Sequence, residues 1–235
     1  MPMPFYYTSD IYYILILIPI MIFATVAQIK VKTAFNRYSK QVSQRGLTGM
    51  QAAEEVLRLN GVTGVQIEYV SGNLTDHYDP RTNTIRLSDG VYSSSSIAAV
   101  GVAAHEAGHA VQYAKNYAPV RFRTAIIPLT RLGSNLSWPL LVLGLIFDIF
   151  SLFILGIIFF SLCTFFQLVT LPVEFNASHR ALDALAKGGI LTSDELKGAK
   201  KVLTAAALTY IAALAVSLVQ LLRYILIATS RSKRR

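Results

Sequence analysis

The segment His105-Glu106-Ala107-Gly108-His109 sets two imidazoles four residues apart, with a carboxylate beside the first. On an α-helix four residues turn through about 400°, so both rings leave one face and can share a metal ion. Glu106 lies about 100° round from His105, within reach of a metal-activated water without being a ligand. Two neutral imidazoles plus a carboxylate suit zinc and leave a fourth position for water. Two histidines on an apolar helix can also be packed core residues. The carboxylate between them argues against that, because it costs about 2.5–3.5 kcal/mol at a bilayer centre. A di-iron bundle would need a second Glu-x-x-His beside Glu106-x-x-His109, and the chain has none.

A catalytic zinc site needs a third protein ligand. Glu54 and Glu55 read as a solvated helix face, Asp76 and Asp79 as turn residues, and Asp194 and Glu195 as a helix start. Glu174 differs, because it follows Leu171-Pro172-Val173 at the end of a long apolar run, within Glu174-Phe175-Asn176-Ala177-Ser178-His179-Arg180. That run is long enough to cross a bilayer twice, so it returns Glu174 to the side of His109. Glu174 is therefore the expected third ligand.

The elements that must hold these groups are set by a very apolar chain. Of 235 residues, 53% are hydrophobic and 15% charged, against about 25% charged in soluble domains. A mean hydropathy of +0.47 excludes a soluble globular or disordered protein. A single cysteine, Cys163, excludes an internal disulfide, and one Cys with four His excludes a zinc finger. The net charge of +9 reads as Lys/Arg beside anionic lipid rather than nucleic-acid binding. Ile11 to Ile29 is an uncharged run of spanning length, with Tyr6, Tyr7, Tyr12 and Tyr13 at its start. No Lys or Arg precedes it, so it reads as an uncleaved anchor with its amino terminus outside. Thr124 to Leu171 reads as a helical hairpin turning near Asp148, in which Arg131 snorkels or meets a polar partner. Val202 to Leu222 is the fourth span. Sixteen of 22 Lys/Arg fall within 30–123 and 172–201, which places those segments in the cytoplasm. The basic tail from Ser230 to Arg235 runs against that orientation.

The expected organisation is an anchor (1–29), a cytoplasm-facing catalytic segment (30–123), a membrane hairpin (124–171), an inner segment with the third ligand (172–201), and a last span with its tail (202–235). Within the polar segment, Thr48 to Leu59 reads as a helix, Gly64 to Val70 and Thr84 to Leu87 as strands, and Ile97 to Ala114 as a serine-capped helix. The fold class is a mainly α membrane protein with about four transmembrane helices and a small α+β, zincin-like segment built on the HExxH helix.

The stretches LTDHYDP, IRLSDGVY, HEAGHAVQ, LPVEFNASHRA and VLTAAALTY resemble the YugP-like membrane zinc metallopeptidases of bacteria over nearly the whole chain. More distantly, HExxH followed by a span and Glu-Phe-x-Ala is similar to peptidases of the HtpX and CAAX-protease type. The resemblance implies zinc-dependent peptide hydrolysis in a bacterial cytoplasmic membrane, one Zn²⁺ on His105, His109 and Glu174, and Glu106 as general base. Protein or peptide would be the substrate. In the distant relatives an Asp lies four residues after the Glu ligand, where this chain has Ser178. Ser178 or Asn176 would then orient a ligand by hydrogen bonding. His77, Tyr78, His179 and Arg180 are candidates for holding the oxyanion, and the sequence does not choose among them. The short strand around Ile85 is expected to pair with substrate backbone. Two other readings stand beside the peptidase: a metal-binding membrane scaffold without catalysis, and an intramembrane protease whose HExxH helix itself crosses.

Overall fold

A computed structural model describes residues 5–232, with side chains described from Tyr13 onward. Tyr6, Tyr7, Tyr12 and the last three tail residues fall outside the described side chains. In chain order the elements are α1 (Phe5–Tyr38), α2 (Gly49–Leu59), β1 (Gln66–Tyr69), β2 (His77–Asp79), β3 (Thr84–Leu87), α3 (Ile97–Ala114), α4 (Ala118–Ile146), α5 (Phe150–Lys187) and α6 (Ser193–Ser232). Four helices among the described residues, α1, α4, α5 and α6, are long and apolar enough to cross a membrane.

The chain divides into two compact units. One comprises residues 1–26, 122–171 and 209–235; the other comprises 27–121 and 172–208. In the first unit α4 and α5 form a hairpin whose turn carries Asp148 at φ +53°. Small residues bring the two backbones together: a Cβ on Gly156 would lie 2.8 Å from the Leu141 nitrogen, and one on Gly133 2.8 Å from the Phe159 carbonyl oxygen. Close approach of this kind drives helix association in lipid, where apolar surface alone gives no preference. Phe153 and Leu141 are buried there with Ala228, and a Thr164–Ser217 hydroxyl pair closes at 2.6 Å. Arg131 is exposed on α4.

The second unit holds the polar segment. Thr48 and Gln51 form a reciprocal capping box at the start of α2, and Ser96 caps α3 through the Ala99 N–H. Thr192 and Glu195 form the same box at the start of α6. The sheet order is β1-β3-β2, with β1 parallel and β2 antiparallel to β3. The expectation that the Ile85 strand pairs with substrate is corrected here. β3 is hydrogen-bonded on both sides, Ile85 is fully buried, and no edge is left to accept another strand. His77 begins β2, a strand that the sequence pattern does not announce; three residues are too few for a period-2 signal. The α3 surface is lined with Ala and Gly, nearly all buried, and its glycines set the spacing of its neighbours. A Cβ on Gly108 would stand 2.6 Å from the Ala177 carbonyl oxygen, and one on Gly101 3.3 Å from the Ala199 Cβ. That close packing lays α3 against the far end of α5.

Candidate metal centre

The site is built where α3 meets residues 173–178 of α5. The Nε2 atoms of His105 and His109 lie 3.3 and 3.5 Å from one carboxylate oxygen of Glu174. All three ligand atoms fall within 4.8 Å of one another. The imidazoles are 15% and 12% exposed and the Glu174 side chain 4%. Zinc bonds of about 2.0–2.1 Å give a tetrahedron whose edges are about 3.3–3.4 Å. The two His–Glu separations match such an edge and are longer than a strong charge-assisted hydrogen bond. The donor set fits zinc.

The far side of each imidazole is also fixed. Ser178 Oγ lies 3.1 Å from His105 Nδ1, and Gln112 Oε1 lies 3.0 Å from His109 Nδ1. The Gln112 amide cannot be the other way round. Its NH₂ donates to the Val173 carbonyl at 2.8 Å and to Asn176 Oδ1 at 3.0 Å, and a carbonyl can only accept. Gln112 therefore turns its oxygen to His109, Nδ1 carries the hydrogen, and the Nε2 lone pair is free for the metal. Arg180 Nε donates to the same Asn176 oxygen at 2.7 Å, and its guanidinium stacks 5.8 Å from the Tyr117 ring centroid. Burial disfavours the His109 imidazolium, but the adjacent Glu174 and Glu106 carboxylates and the Gln112 hydrogen bond outweigh it, and its pKa is raised.

Glu106 is buried at 8% exposure and lies outside the three-ligand cluster. Its charge is close enough to His109 to raise that ring's pKa. The remaining sequence candidates are placed differently. His77 is exposed, with Nδ1 2.8 Å from the Thr75 carbonyl oxygen. Tyr78 donates to Asn83 Oδ1 at 2.7 Å and packs on Tyr113 of α3; burial raises its pKa, so it stays a phenol. His179 is 73% exposed and pairs with Asp183 at 3.5 Å. Neither His77 nor His179 is drawn into the cluster. Sequence reasoning missed Gln112, which is completely buried. The signal was present: it is the one amide on an otherwise small, apolar helix, three residues after His109 and one turn along the same face.

A family model described as "Putative neutral zinc metallopeptidase" matches residues 13–229. The chain is 48% identical over 202 residues to the "Putative membrane protease YugP" of Bacillus subtilis (strain 168), covering 86% of this chain and 89% of that one. No solved structure matches.

Proposed function

The chain belongs to this family of neutral zinc metallopeptidases, and from that premise we propose a membrane-embedded peptidase whose site opens to the cytoplasm. His105, His109 and Glu174 hold the metal, and Glu106 is the general base. The observation that carries the reading is the directional chain from the Val173 carbonyl through Gln112 to His109, which readies Nε2 as a ligand. When bound, zinc supplies a Lewis acid and lowers the pKa of water. The Glu106 carboxylate takes the proton of the attacking water as its oxygen adds to the peptide carbonyl carbon. The same carboxyl returns the proton to the leaving nitrogen as the C–N bond breaks. Arg180 is the oxyanion candidate with a fixed position, held by Asn176 and Tyr117. Peptide backbone pairs with the outer edge of β2, the edge strand beside α3, rather than with the enclosed β3.

Glu106→Gln tests the base. It keeps size and shape and removes no ligand. Zinc content should stay near wild type while peptide hydrolysis falls by a factor on the order of 10²–10⁴. Undiminished hydrolysis in the zinc-loaded variant sinks the mechanism. A wild-type protein that binds zinc but cleaves no unfolded or membrane peptide favours the scaffold. The crossing-helix alternative gains no support, because α3 is packed within its unit against α2 and the strands β2 and β3. Reporters fused after Lys40 and near Lys187 should both read cytoplasmic, and one near Asp148 external.

A further inference from the structure

The second unit contains a groove of about 720 Å³ between the end of α1 and the start of α6, away from the metal ligands. Five cations line it: Lys30 and Arg37 from α1, and Lys197, Lys200 and Lys201 from α6. All five are exposed. Only Lys197 has an acid at hand, Asp194 at 2.7 Å. Among the described residues no carboxylate forms an ion pair with Lys30, Arg37, Lys200 or Lys201. The walls and floor are apolar, from Ile29, Ala34, Ala205 and Leu208. Helix periodicity makes this a continuous stripe on each side: 30, 33, 34, 37 on α1 and 197, 200, 201, 204, 205, 208 on α6.

The polarity of the groove changes along its length. Ile29 is the last residue of the uncharged run in α1, and Leu208 lies within the apolar run of α6. The cations begin immediately beyond both. The groove therefore has a hydrocarbon end at membrane depth and a cationic end at the water interface. Tyr38 packs on Gly198, where a Cβ would stand 2.7 Å from the ring, and this contact closes the floor beneath the cations. A soluble anion would use the charged end and leave the apolar walls uncovered. A neutral lipid would cover the walls and leave the charge unmatched.

We infer that the groove is a binding site for one anionic phospholipid, its phosphate among Arg37, Lys200 and Lys201 and an acyl chain along Ile29, Ala205 and Leu208. Basic pockets between membrane helices on the cytoplasmic side are suited to such headgroups. The inference rests on the membrane character of the chain and not on the peptidase reading, so either can fail alone.

Native mass spectrometry of the purified full chain, with added phosphatidylglycerol or phosphatidylcholine, tests it. Wild type should keep about one phosphatidylglycerol and release phosphatidylcholine. Each groove cation removed should weaken phosphatidylglycerol binding about fivefold. The triple variant Arg37→Ser, Lys200→Ser, Lys201→Ser should therefore lose a factor on the order of 10². A control triple of equal charge, Lys32→Ser, Lys40→Ser, Lys115→Ser, changes exposed cations outside the groove and should bind as wild type does. Equal loss in both triples means diffuse attraction and overturns the site. Equal retention of both lipids overturns it too. Displacement of the lipid by millimolar inorganic phosphate would make it a phosphate site and overturn the lipid assignment. Should the groove triple not fold, single Lys201→Ser must still show its fivefold loss.

Discussion

Helix α5 lies in two different surroundings, and its two parts are held by different physics. Up to Leu171 it is apolar on nearly every face, with Leu155, Ile158, Phe165 and Leu168 exposed, as lipid-facing residues must be. Its specific contacts include two glycine fits, a hydroxyl pair and edge-on aromatic pairs, none of them to a charged group of the site. From Pro172 onward the same helix carries Glu174, Asn176 and Ser178, and each has a defined partner on α3 or along α5. The first part is specified by composition and close fit, which tolerate exchange of one apolar residue for another. The second is specified atom by atom. Substitutions should therefore separate into those that cost stability alone and those that cost metal.

The largest effect should come from the three proposed ligands. His105→Ala, His109→Ala and Glu174→Ala should each abolish most zinc binding and all hydrolysis, because three ligands are the minimum for a tight open site. Thr164→Val, in the membrane part, should keep full zinc. Metal analysis of the four purified variants decides it. Full zinc in Glu174→Ala would remove Glu174 from the ligand set and make Asp183, further along α5, the next acid to try.

Two glycines sharpen the contrast. Gly108→Ala forces a Cβ against the Ala177 carbonyl oxygen, one residue from Asn176 and Ser178, and backbone must yield. The expected loss is ~1–3 kcal/mol of stability together with weakened zinc binding, since Glu174 moves with its helix. Gly156→Ala meets the Leu141 backbone at a comparable 2.8 Å. It should cost similar stability, read by thermal unfolding, with zinc affinity unchanged once folded. Zinc loss in both would mean that the two parts are not separable.

Much of this division is legible in residues. The HExxH spacing, the serine cap and the turn at Asp148 are local signals, and each follows from helix geometry or a charge interrupting an apolar run. Helix lengths were not legible. Ile11 to Ile29 is only part of a 34-residue helix, and α5 runs on through Pro172 to Lys187, because amphipathic polar turns continue a helix that hydropathy alone would end. β2 was hidden because three residues carry no period, and with it the enclosure of β3. Gln112 was hidden for another reason. A glutamine's role depends on which of its two amide atoms faces the metal ligand, and that is set by Val173 and Asn176, more than sixty residues away.

Gln112→Leu preserves volume and removes both the acceptor for His109 and the donor to Val173. Losing such a support typically costs 10–100-fold in metal affinity. The upper end is expected here, because the buried Val173 carbonyl also loses a donor. Gln112→Glu also loses the donor to Val173 and Asn176 but keeps an acceptor for Nδ1, so any affinity it retains above Gln112→Leu measures the His109 bond. A chelator competition titration ranks the two, and an equal loss in both would point to packing rather than to the His109 bond.

The smallest effect should be at Ser178, whose hydroxyl stands 3.1 Å from His105 Nδ1. A hydroxyl rotates freely and can accept the Nδ1 hydrogen, but it carries no charge, so it orients the ring without adding much to its basicity. Ser178→Ala should weaken zinc only about tenfold, the low end for such supports, because water can reach a ring that is 15% exposed. Ser178→Asp puts a charge-assisted acceptor in the same place and should restore or exceed wild-type affinity. Affinity should thus rise from Ala through Ser to Asp, with folding stability nearly level between Ala and Ser. If Ala and Ser bind zinc equally, the hydroxyl is a neighbour of His105 and no support to it. The atom-by-atom specification of this part of α5 would then rest on Glu174 and Asn176 alone.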